Sequence, residues 1–305
     1  MYQQRMILAN SSLWKLKPSS AMASLFESHR KHFHQQLLES VLTVDSEGVP
    51  SIADKGQKFS KLVSTKLIPK LGALSHAIKS SGQHSGHAFE SICVEFIEEC
   101  FSKLEHLRTG KWHCCHVTSR KSGISDFEQY RHLYELKALA GRHPDLATAL
   151  GNEYAIAPDI IISREAFDDE TINQTNQLVD ESIARQTPFR KLNNNTSILL
   201  ASISCKWTLR SDRAQNARSE ALNLIRNRKG RCPHIMVVTA EPTPSRISSL
   251  ALGTGDIDCV YHFALPELRE SIRETENDEA LQALDIMIEG KRLRDIGDLP
   301  LDLLA

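Results

Sequence analysis

The stretch ILLASISCKWTLRSDRAQNARSEALNLIRNRKGR, residues 198–231, decides how the rest of the sequence is interpreted. Its apolar run at 198–203 is typical of a strand that is buried on both faces. The run ends in Ser204-Cys205-Lys206, and from Lys206 to Arg231 eight Lys or Arg stand against two acids, a net charge of +6. A lysine at the end of a core strand places a cation at the edge of a sheet, where it can stabilise developing negative charge.

Short apolar strands alternate with helical patterns along the whole chain. Strands are predicted at 112–118, 159–163, 197–207, 234–240 and 258–263. Helices are predicted at 24–42, 59–79, 89–107, 130–139, 214–227, 267–275 and 279–288, with loops at 45–57, at 80–87 and at the EPTPSR segment, 241–246. This order predicts an α/β fold with a mixed central β-sheet flanked by helices. Because no repeat or low-complexity linker divides it, residues 22–305 are predicted to be a single domain, preceded by a disordered N-terminal extension at 1–21.

Composition limits the class of protein. The 305 residues are 41% hydrophobic and 25% charged, which is typical of a water-soluble globular protein with a sizeable core. No apolar run is long enough to span a bilayer, so no membrane partner is expected. Seven scattered cysteines fit reduced thiols in the cytoplasm better than a disulfide framework. Four adjacent residues at 113–116, His-Cys-Cys-His, are not predicted to bind zinc, because neighbouring strand residues point to opposite faces.

Lys206 has an acidic counterpart on a neighbouring predicted strand. Pro158-Asp159 comes directly before the apolar run at 160–162 and places a carboxylate at the start of that strand. Two adjacent strands, one with Pro-Asp and one that ends in Lys, form the core of PD-(D/E)xK nucleases, whose acids hold a divalent metal beside the scissile phosphate. Ser204 occupies the position that is normally acidic, so a second carboxylate must come from elsewhere.

Glu220 is the candidate for that carboxylate, and Glu90 is a candidate for a further one. On the helix predicted at 214–227, Glu220 shares one side with Ala217 and Leu224 and can point back towards the sheet. Glu90 opens the helix predicted at 89–107, where the helix dipole favours an acid and where a further active-site carboxylate can lie. A position on the solvated surface remains open for both side chains.

The basic block after Lys206 begins with Arg210-Ser211-Asp212-Arg213. Arginine forks onto the O6 and N7 acceptors of guanine in the major groove, and a carboxylate accepts from the N4 amino group of cytosine. Two arginines that flank an aspartate therefore suit the reading of G·C pairs. Ion pairing on a surface is the alternative, and the neighbouring nuclease pattern favours DNA.

Long runs of this sequence resemble the NgoMIV family of type IIF restriction endonucleases. The similarity is carried by GQHSGHAFESICVEF, YAIAPDIIISR, the stretch from SISCKWTLRSDR to NRKGR, PHIMVVTAEPTPSRISSLALGTGDIDCVYHFAL and DLPLDLL. The resemblance implies a restriction-endonuclease-like fold in a bacterial cytoplasmic enzyme. It also implies Mg²⁺-dependent double-strand cleavage of GCCGGC after the first G, with a 5′ CCGG overhang and two Mg²⁺ ions in each active site. The implied assembly is a homotetramer of two dimers that binds two copies of double-stranded DNA.

The resemblance also implies roles for individual residues. The implied catalytic residues are Asp159, Lys206, Glu220, Glu90 and Ser204. The implied metal ligands are the carboxylates of Asp159 and Glu220 and the backbone carbonyl of Cys205. The implied readers of DNA are Arg210, Asp212 and Arg213 at the inner CCGG, Arg246 and Asp54 at the outer G·C pair, and Gln83 in the minor groove.

Two other functions remain open from the sequence. A repair or mismatch nuclease on the same PD-(D/E)xK core would nick one strand rather than make symmetric breaks. A DNA-binding protein without activity is the third alternative, and the presence of Asp159, Lys206 and Glu220 counts against it.

Overall fold

The computed structural model describes residues 23–72, 82–117, 123–145, 148, 158–253 and 255–304, except for the side chains of residues 82–84 and 211. The extension predicted at 1–21 lies outside the described residues. Within them, one sheet has six strands in the order β1-β2-β3-β4-β5-β6. The strands are β1 (Trp112–His116), β2 (Ile160–Arg164), β3 (Ile198–Lys206), β4 (His234–Thr239), β5 (Cys259–His262) and β6 (Leu293–Asp295).

The sheet is mixed, as predicted. The pairs β1–β2 and β2–β3 are antiparallel, whereas β3–β4, β4–β5 and β5–β6 are parallel. The strand β3 is therefore the one at which strand pairing changes from antiparallel to parallel. Because β2 runs antiparallel to it, with Ile160 opposite Ile203, the start of β2 lies beside the end of β3.

Helices cover both faces of this sheet. They are α1 (Leu25–Ser40), α2 (Lys58–Leu71), α3 (Gly82–Ser102), α4 (His132–Ala140), α5 (Asp169–Ile172), α6 (Ser211–Asn227), α7 (Pro244–Ala251), α8 (Leu265–Arg273), α9 (Asp278–Glu289) and α10 (Leu299–Asp302). Consecutive residues near the end of β3 point to opposite faces. Cys205 lies against Cys93 of α3, whereas the hydroxyl of Ser204 donates to Glu220 of α6.

One hydrophobic core runs from α1 through α3 and the sheet to α10. At its edge, Arg30 of α1 makes ion pairs of 2.6 Å with Glu267 and 2.7 Å with Asp295, which join α1 to α8 and β6. All seven cysteines are free thiols, in agreement with the prediction of reduced cysteines. Within the described ranges, no helix is both long enough and apolar enough to cross a bilayer.

Several predicted bounds were wrong, each for a physical reason. A loop was predicted at 80–87, but α3 already begins at Gly82, because burial of Ser85 and Phe89 outweighs the low helix propensity of glycine and serine. The same helix ends at Ser102, before a short 3₁₀ turn, Glu105–Leu107. Helix α6 begins at Ser211 rather than at 214, with Asp212 in a first turn that favours an acid.

Helices α5, α7 and α10 and strand β6 were not predicted. The EPTPSR segment, read as a loop, contains the start of α7, which Pro244 opens with a backbone angle already suited to a helix. Strand β6 has only three residues, too few to show an alternating pattern. The part of the predicted 59–79 helix that follows Gly72 lies outside the described residues.

Candidate active site

The end of β3 brings the predicted aspartate and lysine together. Asp159 directly precedes β2, and its Oδ2 accepts a hydrogen bond of 2.7 Å from the backbone N–H of Cys205. The same oxygen accepts from Lys206 Nζ at 3.1 Å. Burial by itself disfavours the Lys206 ammonium, but the charges of Asp159 and Glu220 raise its pKa above the ordinary lysine value. Lys206 is therefore a charged donor at neutral pH.

Glu220 points from α6 to the sheet, in the direction that helical periodicity predicted. Ser204 Oγ donates to Glu220 Oε2 at 2.7 Å, so the serine at the normally acidic position holds the carboxylate that lies near it in space. Burial raises the pKa of Glu220, and the ammonium of Lys206 together with the Ser204 hydroxyl opposes that rise. The negative charges of Asp159 and Glu90 raise the pKa further.

Glu90 approaches the same place from α3, on the other face of the sheet. Burial raises its pKa, and the charge of Asp159 adds to the effect, whereas His87 lowers it through a contact of 3.1 Å between Nδ1 and Glu90 Oε2. The ring of Phe89, next in the chain, packs on Trp207 with 5.0 Å between ring centroids. This aromatic contact fixes Glu90 relative to the residue that follows Lys206.

Beside Asp159 and Ser204 lies a cavity of about 250 Å³ that several of their partners line. Glu90, Lys206 and Glu220 form one part of its wall, and Arg213 and Asn216 of α6 extend it. The cavity thus combines carboxylates with a buried lysine and an arginine, a set that suits an anionic substrate together with a cation.

The oxygen donors that line this cavity or lie beside it fit a hard divalent cation. Asp159 and Glu220 supply carboxylates, and the Cys205 carbonyl points to the side of Asp159, because the N–H and C=O of a strand residue point the same way. Neighbouring negative charges raise the pKa of Glu90 and of Glu220, and a cation would relieve that repulsion. In the part of the chain that the structure describes, no three His, Cys, Asp or Glu side chains form a closed metal cage. Mg²⁺ needs none, since it typically binds one or two carboxylates, water and substrate phosphate.

A second cavity, of about 570 Å³, collects three of the predicted DNA-reading residues from distant parts of the chain. Arg210 stands at the N-cap of α6, Arg246 lies in the first turn of α7, and Asp54 precedes α2. Arg246 Nη2 and Asp54 Oδ2 form a close ion pair. Hydrogen bonding to Arg246 is the main cause that lowers the pKa of Asp54. The two side chains predicted to read the outer G·C pair are thus partners in the free protein.

The other predicted readers lie elsewhere. Arg213 lines the first cavity, and its Nη1 donates to Thr208 Oγ1 at 3.0 Å. Asp212 is exposed in the first turn of α6. Gln83 lies in α3, and its side chain is outside the described residues. Arg210 and Arg213 therefore face different cavities, although they are only three positions apart in the sequence.

One acid beside the second cavity was not predicted. Glu241 directly follows the strand segment predicted at 234–240, and its side chain is only 1% exposed. It accepts from the backbone N–H of Leu209 at 2.9 Å and of Thr243 at 3.2 Å, and it lies 3.7 Å from Arg246 Nη1. An acid directly after a predicted core strand is the sequence signal that could have pointed to it.

Known proteins match this chain over most of its length. The sequence profile of the NgoMIV restriction enzyme family matches residues 33–305, a range that contains both cavities. The Type II restriction enzyme NgoMIV of Neisseria gonorrhoeae is 51% identical over 284 residues, an alignment that covers 92% of this chain and 99% of that enzyme.

Proposed function

Because the chain belongs to the NgoMIV restriction enzyme family and is a type II site-specific deoxyribonuclease, we propose that its two cavities divide the work of cutting and reading GCCGGC. Type II restriction enzymes act on DNA and generally use Mg²⁺. The proposed reaction is Mg²⁺-dependent hydrolysis after the first G of each strand, which leaves a 5′ CCGG overhang. The observation that carries the proposal is the contact of Asp159 with Lys206, whose side chain lines one cavity together with Glu220 and Glu90.

In this proposal, Asp159, Glu220 and the Cys205 carbonyl hold Mg²⁺, and Glu90 serves a second ion. When bound, the metal activates water and neutralises charge on the phosphate. Lys206 carries three N–H donors, of which one meets Asp159, so the others can donate to a phosphate oxygen as charge develops on it.

Ser204 and Asp159 position the charged groups. Burial raises the pKa of Glu220, and the Ser204 hydroxyl, by donating to the carboxylate, favours its ionised form. Asp159 Oδ2 holds the Lys206 ammonium and the N–H of Cys205 at once, so the aspartate, the lysine and the Cys205 carbonyl keep one relative arrangement. Fixed charges of this kind stabilise a transition state without the cost of reorganisation.

The second cavity is proposed to read bases. Arg246 forks onto the outer guanine, and Asp54 accepts from the N4 amino group of its paired cytosine. Their mutual ion pair supports this assignment, since it keeps one donor fork and one acceptor side by side, as a G·C pair requires. Arg210, Asp212 and Arg213 are proposed to read the inner CCGG, and Gln83 is proposed to contact the minor groove.

The assembly follows from the palindrome. The described residues of one chain carry one catalytic cavity, so a symmetric double-strand break calls for two chains related by a two-fold axis. We propose a homotetramer of two such dimers, bound to two sites, in the bacterial cytoplasm. The continuous core from α1 to α10 supports a single endonuclease domain at 22–305.

Cleavage of a plasmid tests this function directly. A plasmid with GCCGGC is incubated with the purified protein and Mg²⁺, and the ends are sequenced; a matched plasmid carries ACCGGT instead. Breaks in both strands after the first G, confined to the first plasmid and absent with Asp159→Ala, are expected. Nicks in one strand would instead support a repair nuclease, and cutting at other sequences would refute GCCGGC as the target.

A further inference from the structure

Glu241 lies where the chain leaves the parallel part of the sheet. It follows β4, whose last residue, Thr239, pairs with Lys206 at the end of β3. Parallel neighbours deliver the segments that follow them to the same edge of the sheet. The segment after β3 leads to Arg210, and the segment after β4 leads to Arg246. Glu241 belongs to the second segment and lies against the first.

The carboxylate of Glu241 contacts both segments. Its Oε2 accepts from the N–H of Leu209, the residue before Arg210, and its Oε1 accepts from the N–H of Thr243, which caps the helix that carries Arg246. Oε2 also lies 3.7 Å from Arg246 Nη1. A single side chain therefore fixes the backbone in front of one reader and the guanidinium of the other.

We propose that Glu241 is a positioning residue that couples the reading of the inner CCGG to the reading of the outer G·C pair. The inference rests on the proposed function, because the readers are the ones assigned above. Glu241 itself is too deeply buried to touch DNA, so it acts through Arg210 and Arg246.

The chemistry of a carboxylate explains why an amide would not serve as well. Burial raises the pKa of Glu241, and the hydrogen bond from the Leu209 N–H is the strongest of the interactions that oppose this rise. A carboxylate has only acceptors, so it can meet two N–H groups and a guanidinium together. A glutamine of the same size would place its NH₂ group opposite one of these three donors. That donor would lose its hydrogen-bond acceptor, and the segment that carries it would shift.

Binding of DNA to the full-length Glu241→Gln variant tests the coupling. Dissociation constants are measured at fixed salt, with Ca²⁺ in place of Mg²⁺, for three duplexes that carry GCCGGC, ACCGGT or no CCGG. The dissociation constant for ACCGGT divided by that for GCCGGC, the outer ratio, reports reading of the outer pair. The dissociation constant for the unrelated duplex divided by that for ACCGGT, the inner ratio, reports reading of the inner four. Both ratios are expected to fall by about tenfold or more, since a lost charge-assisted hydrogen bond weakens each reader.

Matched variants separate positioning from stability. Glu267 is a half-buried carboxylate paired with Arg30 away from both cavities, so Glu267→Gln is expected to lower the melting temperature and leave both ratios unchanged. Arg246→Ala is expected to lower only the outer ratio. If Glu241→Gln does not fold, Glu241→Asp, which keeps the charge but shortens its reach, is judged by the same two ratios.

The outcomes separate the inference from the function on which it rests. A wild-type protein without preference for GCCGGC over ACCGGT would overturn the proposed specificity itself. A wild-type preference that Glu241→Gln and Glu241→Asp both retain would overturn only the coupling. A fall of the outer ratio alone would limit Glu241 to Arg246 and would likewise refute coupling.

Discussion

Replacement of Arg246 by alanine or lysine is expected to remove discrimination at the outer base pair and to spare the inner four. Arg246 lies in the first turn of α7, with Asp54 on one side and Glu241 on the other. Lysine keeps the positive charge but lacks the planar fork that matches the O6 and N7 acceptors of guanine. Comparison of the two variants therefore separates base reading from attraction to phosphate.

The size of the effect follows from symmetry. A bidentate arginine–guanine contact is worth about 1–3 kcal/mol of discrimination, and a two-fold dimer on a palindrome makes it twice. Loss of about 2–6 kcal/mol of discrimination corresponds to a decrease of about 30-fold to about 20,000-fold in the ratio of the dissociation constant for ACCGGT to that for GCCGGC. Because Asp54 is held by the same guanidinium, its contribution is expected to be lost together with that of Arg246, which favours the upper part of this range.

Competition binding at fixed salt, with Ca²⁺ to prevent cleavage, measures the two constants. Arg210→Ala serves as a contrast, since it should weaken binding to GCCGGC and to ACCGGT alike. Lys55 lines the same cavity, and its Nζ is paired with Asp45 rather than with a reader. Lys55→Ala should therefore weaken all duplexes by one factor and reduce the dependence of binding on salt.

The proposed contact of Arg246 with the outer guanine is refuted if Arg246→Ala lowers affinity for GCCGGC and ACCGGT by the same factor. Arg246 would then be a contact to the backbone of DNA. An Arg246→Lys variant with wild-type discrimination would also contradict the forked contact, because lysine supplies only a point charge.

Three further predictions concern catalysis, assembly and stability. Asp159→Ala or Lys206→Ala should abolish plasmid cleavage yet leave Ca²⁺-supported binding to GCCGGC largely intact, because lost charge at the phosphate affects the transition state more than the ground state; wild-type turnover would remove the proposed site. A plasmid with two sites should be cut faster than a plasmid with one, and light scattering should report a tetramer; a monomer with and without DNA would refute this. Burial lowers the pKa of His262 to about 4. Since the unfolded ring titrates near pH 6.5, the free energy of unfolding should fall by up to about 3 kcal/mol between pH 6.5 and 4, and denaturant titrations of His262→Gln should show a smaller fall.

The parts of the fold that periodicity determines were predictable. The apolar run before Lys206 indicated β3, and the spacing of Ala217, Glu220 and Leu224 allowed Glu220 to face the sheet but left a surface position open. Helix α3 was predicted to begin too late, because its first turns contain glycine and serine and depend on packing around Phe89. Strand β6 depends on pairing with β5, a partner that local sequence does not reveal.

The site was predictable to a smaller extent. Asp159 and Lys206 follow from strand order, but the roles of Arg246 and Asp54 came from resemblance, since nothing local links residues that are 192 positions apart. Glu241 escaped notice because its partners are backbone N–H groups, which every residue carries and no pattern marks. A buried acid is recognised only when the segments that surround it are known.

The change from antiparallel to parallel pairing at β3 has a consequence for the position of the cut relative to the recognised bases. Asp159 and Lys206 lie at the end of β3, on the side of its antiparallel neighbour. The segments that follow β3 and β4 leave the sheet at neighbouring strands, about 4.8 Å apart. In the proposed function, the cutting and the reading residues are therefore held at a fixed distance by the same sheet. A variant that recognised a different outer pair would cut a new sequence, yet the stagger between its two breaks would stay the same.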